Sequence, residues 1–360
     1  MFQYVIRRLI LAIPVLFGIL LVTFILARLI PGDPCKAILG EKATQAVCER
    51  FIRERGLDQP IHVQLGIYIR DVARGDFGNS IRYSRPVSII LIERLPLTVE
   101  LGVIATLLAA LIGIPLGILS AVYSNSFVDV ATMVTANIGV SMPVYWLGLM
   151  LAYVFALLLK DTFLWLPPSG RLTAGLTSIP FYQVYNLNAG DPESFRFHVY
   201  EFIGNMVVIN SFITGNWKIL WDAIQHLILP SVALCTIPMS IIARMTRSSM
   251  LEVLGLDYIR TARAKGMPKS KVVLKHAFRN AMLPVFTIIG LQLGTIFAGA
   301  VLTETIFGLA GVGRMLFEAI TARDYPIVQA FTLVIAIGYV GMNLLVDVSY
   351  GFIDPRIKLK

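Results

Sequence analysis

The run from Asp257 to Gly266 gathers charge and helix-boundary signals in a chain that is otherwise strongly apolar. Tyr258, Ile259 and Ala262 offer an apolar surface, small at Ala262, while Arg260, Arg263 and Lys265 place positive charge around it, with Thr261 and Ala264 between. Asp257 can cap a helix at its start, and Gly266 can end it by taking the left-handed conformation. Pro268 suits the first turn of a second helix running to about Arg279. These side chains form no Walker A, zinc-protease or nucleophile-elbow motif. So much charge in a loop is more than a connector needs, and the segment reads as a surface built to dock a soluble partner. The competing reading is that the basic residues hold a loop on one side of a membrane and touch anionic lipid.

The elements around this segment must be membrane helices. The chain is 56% hydrophobic and 15% charged, with a mean hydropathy of +0.74, well beyond a soluble globular average. Six apolar stretches can be read, at about Leu9–Ile30, Thr98–Val122, Ala131–Leu159, Leu227–Ile242, Ala281–Thr303 and Ile327–Val348. A spanning helix needs roughly 20 apolar residues. The fourth stretch is the shortest and carries Pro230 and Pro238, so it is the weakest of the six. Arg7 and Arg8 precede an apolar run too long for the core of a cleavable signal peptide, and this reads as a retained first span.

Six spans place both termini on one side. Arg7, Arg8, Arg244, Arg247, the basic residues from Arg260 to Arg279, and Arg356, Lys358 and Lys360 then fall together, which marks that side as cytoplasmic. The net charge of +9 follows from this topology and does not call for nucleic acid. On the other side, Pro31-Gly-Asp-Pro34 should stop the first helix, Glu41–Arg55 reads as a polar amphipathic helix, and the segment from about 160 to 226 is long enough to form a small external cap. Cys35 and Cys48 share the first external segment. They are either a disulfide, worth on the order of 3 kcal/mol for such a loop, or two separate thiols. Cys235 falls in the fourth span as a small packing residue.

Several function classes are disfavoured. Arg28, Glu100, Asp129, Glu304 and Asp347 lie near span ends, and no ionisable side chain falls near the middle of a span. Ion-coupled carriers usually keep such groups along their path. No Walker A sequence, zinc-protease motif or nucleophile elbow occurs, so the chain is read as non-catalytic, with no metal site and no cofactor of its own. Gly290 and Gly294 share a helix face near Gln292, which fits close helix packing or a path-lining role.

The segment from Asp257 to Gly266, continuing through His276-Ala-Phe-Arg-Asn-Ala-Met-Leu-Pro284, resembles the EAA loop of ABC-importer permeases. The resemblance is closest to the dipeptide, oligopeptide and nickel type, on the side of its first permease subunit. It extends along almost the whole chain, through Pro31-Gly-Asp-Pro34, Gly75-Asp-Phe-Gly-Asn-Ser80, Leu95-Pro-Leu-Thr98, Pro143-Val-Tyr-Trp-Leu-Gly148, Pro168-Ser-Gly170, Thr303-Glu-Thr-Ile-Phe-Gly308 and Asp354-Pro-Arg356. Arg260, Thr261 and Ala262 stand where the generic loop opens Glu-Ala-Ala, and Ala310 stands where relatives often have proline.

The resemblance implies an all-α membrane protein with six transmembrane helices, the type I ABC-importer permease fold and helical extracytoplasmic insertions. Residues 1–97 form the first span and an external segment. Residues 98–356 form a core of five further spans, with an insertion at about 160–226 and a cytoplasmic coupling loop at about 244–280. The implied partners are a second homologous permease, two ABC ATPases that bind ATP and Mg, an extracytoplasmic substrate-binding protein and membrane lipid. Peptides are the implied cargo, with nickel, glutathione-like molecules or oligosaccharides as the alternatives in the same family. Glu304, Arg314 and Asp324 in the last outer loop are candidate contacts for the binding protein. An ion-coupled carrier and a membrane scaffold are the rival classes.

Overall fold

The computed structural model describes residues 2–29, 44–54, 58–191 and 194–353, and these form helices joined by turns, with a single isolated bridge between Asn79 and Pro86. Pro31-Gly-Asp-Pro34, Cys35, Gly56 and the terminal Asp354-Pro-Arg356 lie outside the described residues. In chain order the elements begin with α1 (Phe2–Leu29), α2 (Gln45–Glu54), α3 (Ile61–Ala73) and α4 (Val87–Val122). There follow α5 (Phe127–Ser141) and α6 (Val144–Ala152), the latter continued by a π-helical turn over Tyr153–Leu158. Three short helices come next, α7 (Phe181–Val184), α8 (Phe195–Gly204) and α9 (Val207–Ile213), before the long α10 (Trp217–Leu254). The chain closes with α11 (Asp257–Ala264), α12 (Lys269–Lys271), α13 (Arg279–Gly299), α14 (Val301–Ile306), α15 (Val312–Thr321) and α16 (Tyr325–Ile353).

Helices α1, α4, α10, α13 and α16 contain stretches long and apolar enough to cross a membrane, and α5 with α6 supplies a sixth crossing if the bent pair is taken as one span. The third apolar stretch is therefore not the single helix expected from hydropathy. It breaks at Met142 and Pro143 with a bend of 97°. The ring of Pro143 disfavours helical backbone at the residue before it, and Met142 is extended at φ −104°, ψ 134°.

The fourth stretch reverses its expected standing. It belongs to the 38-residue α10, the most deeply buried of the spans, with 67% of its apolar window inside the protein. Leu227, Leu229, Ala233 and Ile242 of α10 share one core with Leu97, Leu101, Ala105 and Ala109 of α4. Glycines bring the two helices together: a Cβ on Gly113 would sit 2.7 Å from the Met239 carbonyl oxygen, and one on Gly117 would sit 2.6 Å from that of Ala243. Small residues one turn apart let membrane helices approach this closely. Gly290 and Gly294 do the same for α13 against α16, where a Cβ on Gly290 would meet Val346 at 1.9 Å. Close packing is thus the reading the structure supports for that pair.

One end of the bundle, the basic end, carries Arg244 and Arg247 of α10 and the arginines and lysines of α11 and α12. There Arg8 of α1 pairs with Asp347 of α16 at 3.0 Å. At the opposite end α4 and α10, ~54 and ~57 Å long at 1.5 Å per residue, extend past any bilayer core. Val87, Ile90 and Leu91 of α4 pack there with Val312, Met315, Ile327 and Phe331. The insertion forms the expected helical cap, although its last residues are already the first turns of α10. Asn210 accepts from the Phe181 amide at 2.7 Å and donates to the Ile179 carbonyl at 2.8 Å. Glu100, expected to reach water from a span end, is instead buried: Arg171 pairs with it at 2.9 Å, and the amides of Val208 and Ile209 donate to it.

Candidate functional site

The charged segment at the basic end folds as a short helix seated on the spans. The chain leaves α10 through Gly255 and an extended Leu256, which is the N-cap, so Asp257 is the first helical residue and makes no side-chain cap. Its carboxylate still favours the positive end of the helix dipole. The far end closes as expected. Gly266 has φ +75°, its amide donates to the Arg263 carbonyl at 3.0 Å, and the Met267 amide donates to the Ala262 carbonyl at 3.3 Å. This is the Schellman pattern, which needs a residue tolerant of the left-handed region at the C′ position. A Cβ on Gly266 would touch nothing within 4 Å, so the requirement is one of backbone conformation alone.

The orientation of α11 corrects the sequence reading. Ile259 is fully buried and Ala262 nearly so. Both face the chain's own core, in a cluster with Ala121, Met250, Val253, Val272, Val273, Ala277 and Ala281. The apolar stripe seats the helix and is not free for a partner. The outward face carries Asp257, Arg260, Thr261, Arg263, Ala264 and Lys265, all exposed. Tyr258 stands at the rim, its hydroxyl donating to the His276 carbonyl at 3.2 Å and accepting from Asn280 Nδ2 at 2.6 Å.

The second helix of the loop is not separate. Pro268 precedes α12, and a π-helical turn over Val272–Phe278 leads without interruption into α13. Arg244 and Arg247, expected in the loop, lie on α10. The Lys269 ammonium sits 4.6 Å from the centre of the Tyr123 ring at the end of α4. A force on α11 therefore reaches α4, α10 and α13 through packed side chains.

Just beside this seat is a clamp that sequence reading missed. Arg247 donates to Asp129 through Nε at 2.9 Å and Nη2 at 2.8 Å. Ser120 of α4 also donates to Asp129, as does the Asn125 amide at 2.9 Å. One carboxylate thus ties α4, α5 and α10 together. Asp129 looked like a span-end charge because its partner is remote in sequence.

At the opposite end, Glu304 and Asp324 are fully buried, so neither carboxylate is offered to a docking protein in this conformation. Glu304 accepts from Thr98 Oγ1 at 2.6 Å and from the Arg314 amide at 2.9 Å, while the Val312 amide donates back to Thr98 at 2.9 Å. Burial pushes its carboxyl above the usual range, and the hydrogen bonds from Thr98 and the Arg314 and Gly313 amides oppose this. Asp324 accepts from Ser80 Oγ at 2.5 Å and the Arg82 amide at 3.1 Å. These residues stitch the segment before α4 to the last loop. Arg314 alone of the three is partly exposed, and it pairs with Glu318 at 2.9 Å. Cys48 is buried on α2, and the candidate disulfide with Cys35 falls outside the described residues. Cys235 is a buried free thiol in α10, as expected.

The profile described as "Binding-protein-dependent transport system inner membrane component" matches residues 113–359, which include α11, its seat and the clamp. The chain belongs to this family. A companion profile for the N-terminal part of such membrane components matches residues 1–102. The permease is 46% identical over 358 residues to the dipeptide transport system permease protein DppB of Alkalihalophilus pseudofirmus, covering 99% of this chain and all of that one. It is 43% identical over 361 residues to the protein of the same description in Escherichia coli K12, with full coverage of both. The oligopeptide transport system permease protein AppB of Bacillus subtilis is 37% identical over 359 residues, again covering 99% of this chain and all of the relative. The permease is accordingly a multi-pass inner-membrane transport protein.

Proposed function

We propose that this permease is one half of the translocation unit of an ATP-driven, binding-protein-dependent importer of peptides in the dipeptide and oligopeptide class. The observation that carries the substrate class is identity of 37–46% along essentially the whole length of permeases described for dipeptides and oligopeptides. Its partners are a second homologous permease, two ABC ATPases that hold ATP and Mg, and a substrate-binding protein at the far face. The chain itself performs no hydrolysis. The basic end lies in the cytoplasm with both termini, which is where ATPases must sit.

On this reading α11 is the coupling route, and its seating on the spans supports that role. The exposed basic face of α11 docks in a groove of an ATPase, with Arg260, Arg263 and Lys265 meeting acidic groups at its rim. The buried Ile259 and Ala262 fasten the helix to α10 and α13, so closure of the ATPase pair moves the spans as rigid bodies. Alternating access follows without any ion relay in the membrane.

Reconstitution tests this reading. Proteoliposomes holding the permease with its partner subunits and loaded binding protein take up labelled dipeptide only with ATP, and the permease copurifies with the ATPases. Proteoliposomes holding this chain alone take up nothing. Uptake by the isolated chain under a proton or sodium gradient would move it to secondary transport.

A further inference from the structure

Between α5 and α10, toward the basic end, a cavity of about 510 Å³ is lined by Asp129, Met133, Val134, Asn137, Arg244 and Arg247. Its two arginines are not equivalent. Asp129 neutralises Arg247 in the two-point ion pair. Arg244 pairs with no carboxylate among the described residues. Its Nη1 donates to two neutral oxygens, Asn137 Oδ1 at 2.7 Å and Ser240 Oγ at 2.9 Å, and Ser240 Oγ itself donates to Asn137 at 2.8 Å. The other guanidinium hydrogens stay available, and the residue is exposed.

The direction of Arg244 is unusual for a charge near a membrane surface. Long basic side chains there normally turn outward to the headgroups. Arg244 reaches back one turn toward Ser240 and across to Asn137, which lies within the apolar run of α5. Less than two turns further along α5 comes the break at Met142, where Ser141 is exposed. Interrupted backbone at membrane depth is tolerated only where it is buried in protein or lines a water-filled cavity. A dry subunit interface is a poor environment for an arginine without a counter-ion, because burying a charge that lacks its partner is costly. A water-filled path between this permease and a second one would satisfy both the broken helix and the arginine.

Resting on the peptide-importer reading, we infer that Asn137 and Arg244 line the inner half of the path, that the buried Ser240 hydroxyl steadies Arg244 from behind, and that Arg244 receives the C-terminal carboxylate of the passing peptide. A carboxylate is the one anionic group that free peptides share whatever their side chains, so this contact is independent of peptide sequence. The guanidinium can meet it with paired donors. The binding is transient: one charge-assisted contact in a wet cavity holds a carboxylate weakly enough for release.

The test measures peptide binding to the assembled membrane complex, two permeases with their ATPases, in the absence of the binding protein. Labelled dipeptide is competed with the unlabelled free acid or with its C-terminal amide. The free acid competes about tenfold better on the parent, in line with the loss of one charge-assisted hydrogen bond. Arg244→Gln abolishes that advantage and Arg244→Lys keeps most of it. An advantage that survives Arg244→Gln overturns the inference, as does equal weakening of acid and amide, which marks a structural role. So does a phospholipid bound to the parent and lost from Arg244→Gln, with peptide competition unchanged, since the site then holds a headgroup phosphate. No peptide binding to the parental complex overturns it as well. ATP-driven uptake by the full importer is read separately: if it persists, only this inference fails, and if the parent carries no peptide, the functional reading fails with it.

Discussion

Arg247 grips Asp129 through two hydrogen bonds of 2.9 and 2.8 Å, joining α10 to α5 at the level of α11, and Ser120 brings α4 to the same carboxylate. The relationship is geometric, a planar guanidinium fork meeting both oxygens of a mostly buried acid, and such pairs are stronger than a single charged contact. It makes the basic ends of three spans into one body, on which α11 is seated.

Breaking the clamp should loosen that body. Asp129→Asn removes the charge and should lower stability in detergent by about 1–3 kcal/mol, a range suited to a pair that water partly reaches. Exchanging the two residues, Asp129→Arg with Arg247→Asp, should recover part of the loss. Thermal unfolding of the purified permease reads both. A double exchange no better than the single variants would show that the pair does not act as a unit.

Gly266 is held at φ +75° with open space around it. Gly266→Val should cost about 1–2 kcal/mol from the left-handed backbone alone. Gly266→Asn should be tolerated, because asparagine enters that region readily. Insertion and expression should change little for either. Copurification of the ATPase, and stimulation of its hydrolysis by loaded binding protein, should fall for valine only.

The two faces of α11 should respond differently. Ile259→Ala leaves a cavity under the helix and should destabilise its seating by about 2–4 kcal/mol, uncoupling ATP hydrolysis from uptake at any salt concentration. Arg260→Glu changes only the exposed face. It should weaken ATPase assembly, with an effect that added salt reduces. Equal salt dependence of the two variants would contradict this division.

Helix contacts through glycine set limits of their own. Gly117→Ala puts a methyl 2.6 Å from the Ala243 carbonyl oxygen, and backbone cannot step aside as a side chain can. The expected loss is about 1–3 kcal/mol. Gly18→Ala, which meets nothing within 4 Å, serves as the control. Fluorescence-detected size exclusion after heating separates them.

Orientation can be read by cysteine labelling in intact cells. Cysteines at Arg263 and at Asp76 should label from opposite faces, with Arg263 protected from an impermeant reagent. Labelling of both from one face would remove the proposed topology.

The residues themselves determined a good deal. Composition placed the chain in a membrane, apolar length marked the spans, and Gly266 announced a left-handed turn because few other residues take that backbone cheaply. Hydropathy misjudged α10, since it measures transfer into an apolar medium and cannot say whether that medium is lipid or protein. A helix enclosed by α4, α5 and α13 can carry Ser231, Thr236 and Ser240 and still be the centre of the fold. It also read through the break at Met142, because Pro143 sits in an otherwise continuous apolar run.

Direction and long-range pairing were decided only by the tertiary structure. Whether Ile259 faces a partner or its own chain depends on where Met250, Val272 and Ala277 stand, and they come from separate helices. Glu304 and Asp324 read as loop charges because their donors, Thr98 and Ser80, lie more than two hundred residues away along the chain. Asp129 and Arg247 share no local pattern. Local propensities act over a few residues, whereas a buried charge takes the partner that packing brings to it, and that partner has no signature in sequence spacing.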